Sequence, residues 1–220
     1  HLSDLEGDAD RCDKLRDLPI FALQGLNERV AIAGVSDLYI PGDYRAPGIA
    51  GTVRILKTGT NDLWKPLLFK LDVPELNRER LLQDFLLPQY EQLSGPAQLE
   101  ALTWIRENLE AAFGDLRRAG RPVSGLEAAI REAPLVRCSD GLLRAIKDVY
   151  NPENETIREI LGDSAPVPDV RQTYGGEVHA WYTFFESLDW RNDPSAQDIL
   201  NRVDSLIGRS RTPGAESVEP

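Results

Sequence analysis

The sequence predicts a helix-rich α+β fold in which two strand–turn–strand (β-hairpin) units pack with helices, and three observations predict it. The first is the stretch from Ile130 to Gly162, where an apolar run, Ala133 to Val136, turns at Ser139-Asp140-Gly141. It returns through Leu142 to Ile146 and reaches Asp148-Val149-Tyr150. The second is an earlier echo of that order: Leu15 to Gly25, a returning strand from Arg29 to Ala33, then Asp37-Leu38-Tyr39. Pro41 stands near the place of Pro152, Arg54-Ile55-Leu56 echoes Arg158 to Leu161, and Pro19 to Gly25 repeats as Pro134 to Gly141 to within one residue. An internal duplication is the economical reading, and a repeat missed at this point miscasts the whole fold. The third is a set of apolar residues at steps of three and four between and after these units, the period of a helix with one buried face.

Taken in order, residues 1–13 are polar and acidic and read as a linker or lead-in. A first α+β unit with a helical hairpin is expected over 14–120, a second with C-terminal helices over 121–208, and a disordered tail over 209–220. Between Tyr39 and Thr60 the breakers Pro41, Gly42, Pro47, Gly48, Gly51 and Gly59 mark a loop, with a short strand at Thr52 to Lys57. Its G-I-A-G-T lacks the Lys-Ser/Thr of a phosphate-binding loop, so it reads as a connection. Asn61 or Asp62 caps a short helix through Leu63, Trp64, Leu67 and Leu68. Leu81, Leu82, Phe85 and Leu86 form one helical stripe that Pro88 should bend or end, because its ring meets the carbonyl four residues back. A helix from Pro96 carries Leu102, Ile105, Leu109, Ala112, Phe113 and Leu116 and stops between Gly114 and Gly120. Pro122 to Glu132 is a short helix into the second hairpin.

After that hairpin, Asn151 caps a helix with Pro152 at its first position, and Gly162 closes it. Ala165 to Asp169 is extended. Glu177 to Trp190 is an aromatic-rich helix, with Trp181, Tyr182, Phe184 and Phe185 expected in the core or a covered interface. Asp193-Pro194 opens the last helix, whose Ala196, Ile199, Leu200, Val203, Leu206 and Ile207 share one face.

Composition bounds the function. The chain has 220 residues, 41% hydrophobic, enough for a real core, and a net charge of −11. Nucleic-acid partners need clustered Lys and Arg, so none is expected. No apolar run approaches the 18 residues of a membrane span, so no membrane partner is expected either. Two cysteines, Cys12 and Cys138, are too few for a disulfide framework, which points to a reducing, cytoplasmic home. The chain begins at His1 and holds no Met, which reads as a piece of a longer protein.

A search for chemistry assigns no catalytic, cofactor-binding or metal-ligating residue. Cys12, Cys138 and His179 are scattered, without the spacing of a metal site. Glu132 with Asp140 could do acid–base work, but among 36 acidic residues such pairs arise by chance. No nucleophile elbow or dinucleotide fingerprint is present. The chain is therefore expected not to be an enzyme, and its partners to be proteins or neighbouring domains of the same chain.

Four places resemble the repeat regions of sacsin and its bacterial relatives. They are Leu15 to Phe21 (L-R-D-L-P-I-F, before a glycine turn), Val73 to Pro88 (paired leucines before a proline), Ala133 to Leu161 (proline, glycine, leucine, then D-V-Y-N-P) and Trp190 to Ile207 (the closing D-P-x-x-x-x-I-L helix). The resemblance covers about residues 14 to 207. It implies large chaperone-type proteins whose repeats open with a GHKL-type ATPase-like domain followed by further α/β segments. The chain departs from the pattern at Leu26-Asn27-Glu28 and in the insertion from Gly42 to Gly59, and it lacks the Asn- and Asp-containing nucleotide pocket. The resemblance thus implies an interaction or scaffold segment downstream of the ATPase-like part. The alternative is a regulatory or specificity domain of a bacterial defence or nucleotide-driven enzyme whose catalytic part lies elsewhere.

Overall fold

Three consecutive buried side chains, Leu38, Tyr39 and Ile40, mark the strand on which the first part of the chain is laid out. An unbroken apolar run is what a strand covered on both faces requires. The computed structural model describes residues 9–24, 29–33, 35, 37–47, 53–57 and 64–210, and the chain divides into two units, 1–126 and 127–220. Helix takes 55% of the described residues and the strands are short, so the fold is the helix-rich α+β class that the sequence predicts.

In the first unit, residues 1–8 lie outside the described residues, and α1 (Ala9–Arg16) is helical where residues 9–13 are expected in the linker or lead-in. Its polar sequence hides the reason: Cys12 and Leu15 pack on the core formed by Phe21, Leu23, Ile40, Leu56 and Leu68. β1 (Phe21–Ala22) and β2 (Arg29–Val30) make the predicted hairpin, with Phe21 opposite Val30. β3 (Leu38–Pro41) lies between two parallel neighbours, β4 (Arg54–Ile55) and β5 (Glu75–Leu76). A parallel neighbour needs a crossover, and α2 (Lys65–Lys70) lies in the connection to β5. Thr52, and the expected caps Asn61 and Asp62, lie outside the described residues.

Asn77 caps α3 (Arg78–Arg80) by accepting the Arg80 N–H at 2.8 Å. The chain then widens into a π turn, Leu81–Leu86, and continues through α4 (Leu87–Gln89) into a 3₁₀ turn. At Pro88, where the sequence predicts a bend or an end, the helix does not end but changes its hydrogen-bond register. The π turn shifts the hydrogen-bond register before the proline, which then stands at the start of the next segment, where a missing N–H is tolerated. Leu81 and Leu82 are 0% exposed. α5 (Gly95–Arg118) buries the predicted Leu102, Ile105, Leu109, Ala112, Phe113 and Leu116, and it runs through Gly114 to end before Gly120. α3 packs on α5, tied by Arg78 to Asp115 at 2.9 Å.

α6 (Ser124–Glu132) leads into the second unit. β6 (Val136–Arg137) and β7 (Leu143–Arg144) form the second predicted hairpin, with Val136 opposite Arg144. Gly141 supplies the positive φ of 82° that the turn requires. α7 is Glu155–Leu161, three residues later than expected: Asn154, not Asn151, caps it by accepting the Ile157 N–H. Asn151 instead accepts the Glu153 N–H, so Pro152 sits in a turn. Gly162 ends α7 at φ 54°, as predicted. α8 (Val170–Thr173), missed in the sequence, is too short to show a period. α9 (Val178–Ser187) buries Trp181, Phe184 and Phe185, in keeping with their core reading. α10 (Ala196–Ser210) is the predicted last helix and includes the first two residues assigned to the tail. The rest, 211–220, lie outside the described residues.

One sequence of backbone contacts is found in both units. After the first hairpin strand, Leu23 bridges Leu56 and Gln24 N–H donates to Ile55 O; in the second unit Cys138 bridges Pro168 and Ser139 N–H donates to Val167 O. Ile40 N–H donates to Pro74 O, and Asn151 N–H donates to Arg191 O. The helix before each of these acceptors ends alike. Asp72 at φ 59° and Asp189 at φ 56° each follow a leucine, Leu71 or Leu188. The next residue donates back five positions: Val73 to Leu68 O at 3.0 Å, Trp190 to Phe185 O at 3.3 Å.

Candidate functional site

The cysteines, the histidine and the paired carboxylates singled out in the sequence are placed apart. Cys12 is half-buried on α1, Cys138 is buried beside β6, and His179 is exposed on α9. Burial pushes the Cys138 thiol up, only partly offset by Arg144, which disfavours the reactive thiolate. Glu132 pairs with Lys147 at 3.4 Å and Asp140 with Arg144 at 2.6 Å, so the structure engages the two carboxylates separately. Among the described residues no group of three His, Cys, Asp or Glu could hold a metal ion, and no helix is long and apolar enough to cross a membrane.

The polar organisation of the second unit converges instead on Asp198, in the first turn of α10. Its Oδ2 accepts from Tyr150 Oη at 2.6 Å, Ser195 Oγ at 2.5 Å and an Arg191 guanidinium N–H at 3.3 Å. Ser195 is the cap of α10: its Oγ accepts the Asp198 N–H at 3.1 Å, and its own N–H donates to Tyr150 Oη at 2.9 Å. Arg191 also donates to Lys147 O at 2.7 Å and to Asp148 Oδ1 at 2.9 Å. Burial opposes ionisation of Asp198, but the Ser195 and Tyr150 hydrogen bonds and the Arg191 charge outweigh it and hold the carboxyl below its ordinary value.

That network sets the position of α10. It fixes α10 by a polar edge, and Arg202 extends the edge by donating to Ser164 Oγ at 3.2 Å. A group with a depressed folded pKa contributes stability that is complete above the unfolded value, about 3.9, and is lost as pH falls through the folded value. Asp198→Asn is therefore expected to be less stable than the parent at neutral pH. The gap should close below about pH 4, read by denaturant titrations across that range. Two open grooves flank Arg191, of about 390 and 700 Å³. Their cations Arg131, Lys147, Arg144 and Arg191 are already held by Asp189, Glu132, Asp140, Asp148 and Asp198.

The consequence for α10 is an inverted helix. Asp198, Arg202 and Ser205 are partly buried, while Ile199, Leu200, Val203 and Leu206 are exposed by 36, 57, 44 and 48%. At about 100° per residue the apolar stripe, centred on Val203, lies roughly 130° around the helix from the polar one. The sequence showed the stripe but gave no sign that it faces outward, because period alone does not say which face is covered. Such a face, anchored from behind by a capped ion-pair network, can bind an apolar surface and offers no group for chemistry. The chain matches no protein-family model, no curated protein and no solved structure.

Proposed function

We propose that this chain is a non-catalytic interaction segment of a larger, sacsin-like chaperone-type protein, working in a reducing, cytoplasmic compartment and built from two related units. The observation that carries the reading is the outward apolar stripe of α10. Exposed apolar surface organised along one helix marks a contact site more often than scattered single residues do. The shared backbone contacts support the relatedness of the units. The repeated leucine–aspartate helix end is the most telling of them, since a positive φ is uncommon outside glycine.

The test is a photo-crosslinking residue at Leu200, compared with one at Asn201, which is exposed about 160° around α10 from Val203 at the centre of the stripe. In the longer parent protein Leu200 is expected to crosslink to a neighbouring domain or another protein, and Asn201 is not. Equal yields at the two positions, or none at Leu200, would overturn the contact reading. Turnover of any substrate abolished by one substitution in this chain would overturn the non-catalytic part.

A further inference from the structure

We infer that the stripe on α10 is covered by a second copy of this chain, packed through the same helix about a two-fold axis at Val203. This rests on the reading of the stripe as a contact surface and adds the identity of what covers it.

The first argument is the parallel between the two units. In each, a helix end at a positive-φ aspartate leads to a capped helix, with Asn77 capping α3 and Ser195 capping α10. The fourth, fifth and eighth positions after those caps are Leu81, Leu82 and Phe85 in the first unit, and Ile199, Leu200 and Val203 in the second. In the first unit the two leucines are fully buried, and the segment that carries them packs through α3 on α5. The second unit carries the same stripe on α10, and there it is exposed. The stripe is therefore of a kind that this fold covers with another helix.

The second argument says which helix. The apolar positions of α10 read I-L-x-x-V-x-x-L-I from Ile199 to Ile207, the same in either direction about Val203. A two-fold interface must be self-complementary, each patch matching its own copy. Here Val203 meets Val203 of the copy, and isoleucine and leucine meet isoleucine and leucine on either side, whichever way the helices run. Arg202 and Asp204 stand on the two sides of Val203, so the stripe is locally neutral within a chain of charge −11, and the facing helices bring no unbalanced like charges together at the contact. With its five apolar side chains exposed by 36 to 57%, its exposed area is on the order of a few hundred Å². That is below the ~800 Å² per partner of a standard stable interface, so the dimer should depend on concentration.

The experiment is sedimentation of the 220-residue chain over a wide concentration range. The mass should rise from one chain towards two. Val203→Glu should stay at one chain throughout, and Asn201→Glu should behave as the parent, with circular dichroism showing that both keep their helix. In a Cys12→Ser background, Val203→Cys should form a disulfide-linked dimer on mild oxidation, and Asn201→Cys should not. A single-chain mass at the solubility limit, or no disulfide dimer through Cys at 203, overturns the proposal. If the chain stays single while Leu200 crosslinks to a different protein, the interaction reading stands and the second copy is excluded.

Discussion

Leu135→Ala is expected to lower the stability of the second unit by about 2–5 kcal/mol, the cost of lost transfer energy and the cavity left by a buried leucine. Leu135 is 0% exposed, directly before β6, and its N–H donates to Ala133 O at 2.9 Å, which fixes the entry into the strand. The residues on the same path, Ile130, Val136 and Ile146, are also 0% exposed, so the site has little room to collapse around a missing side chain. Against a total of about 5–15 kcal/mol this is a large fraction. A denaturant titration should show a lower midpoint with an unchanged slope, the sign of altered stability and not of an altered unfolded state. Glu159→Ala, exposed on α7, should stay within about 0.5 kcal/mol of the parent. Equal midpoints for the two variants would mean that Leu135 is not in the core.

Trp181→Ala should cost still more, about 3–5 kcal/mol. The indole is 1% exposed, lies 6.0 Å from the Phe185 ring in a stacked arrangement, and meets Tyr174 at 4.9 Å. Its Nε1–H donates to Tyr174 O at 3.0 Å, so truncation also strips a buried carbonyl of that donor. The loss reaches the hairpin, because the Tyr174 hydroxyl accepts the Arg137 N–H of β6 at 2.6 Å. Hydrogen exchange should therefore quicken at Arg137 in Trp181→Ala, and less so in Trp181→Phe, which keeps most of the ring volume. If these aromatics formed an open platform for a ligand, truncation would leave thermal unfolding nearly unchanged. That outcome would refute the core assignment.

The two hairpins could be read from the sequence because their signals are local: a proline, an apolar run, and Asp140-Gly141 at a turn that requires φ > 0. The α5 stripe and the α9 aromatics were equally plain, since long periodic segments average out accidents. What was not legible depends on contacts distant in sequence. The α1 helix is polar and forms because Cys12 and Leu15 find a core. Asn151 and Asn154 are equally good caps on paper, and the choice falls to Asn154 because Asn151 is taken by a turn. β5 is two residues long, too short for any period, yet it completes the three-stranded sheet. The repeated helix ends, Leu71-Asp72 and Leu188-Asp189, share a backbone that their residues do not signal, because an aspartate does not announce a positive φ as a glycine does. Of the candidate site the stripe was visible, but its outward direction was not, since that is set by Asp198, Tyr150, Ser195 and Arg191 meeting from four separated positions.

A chain of charge −11 that also shows a strip of bare hydrocarbon carries two forces of different reach. Repulsion between like-charged molecules extends over the Debye length, about 30 Å at 0.01 M salt and about 10 Å at 0.1 M, while apolar attraction acts only at contact. In dilute buffer the long-range force keeps molecules from approaching closely enough for the strip to matter. At about 0.15 M salt the reach of the repulsion falls to about 8 Å, less than the width of a helix, and the strip becomes available. The acidity of the chain thus acts as a colloidal barrier, set by the salt around it, that holds an adhesive helix in reserve.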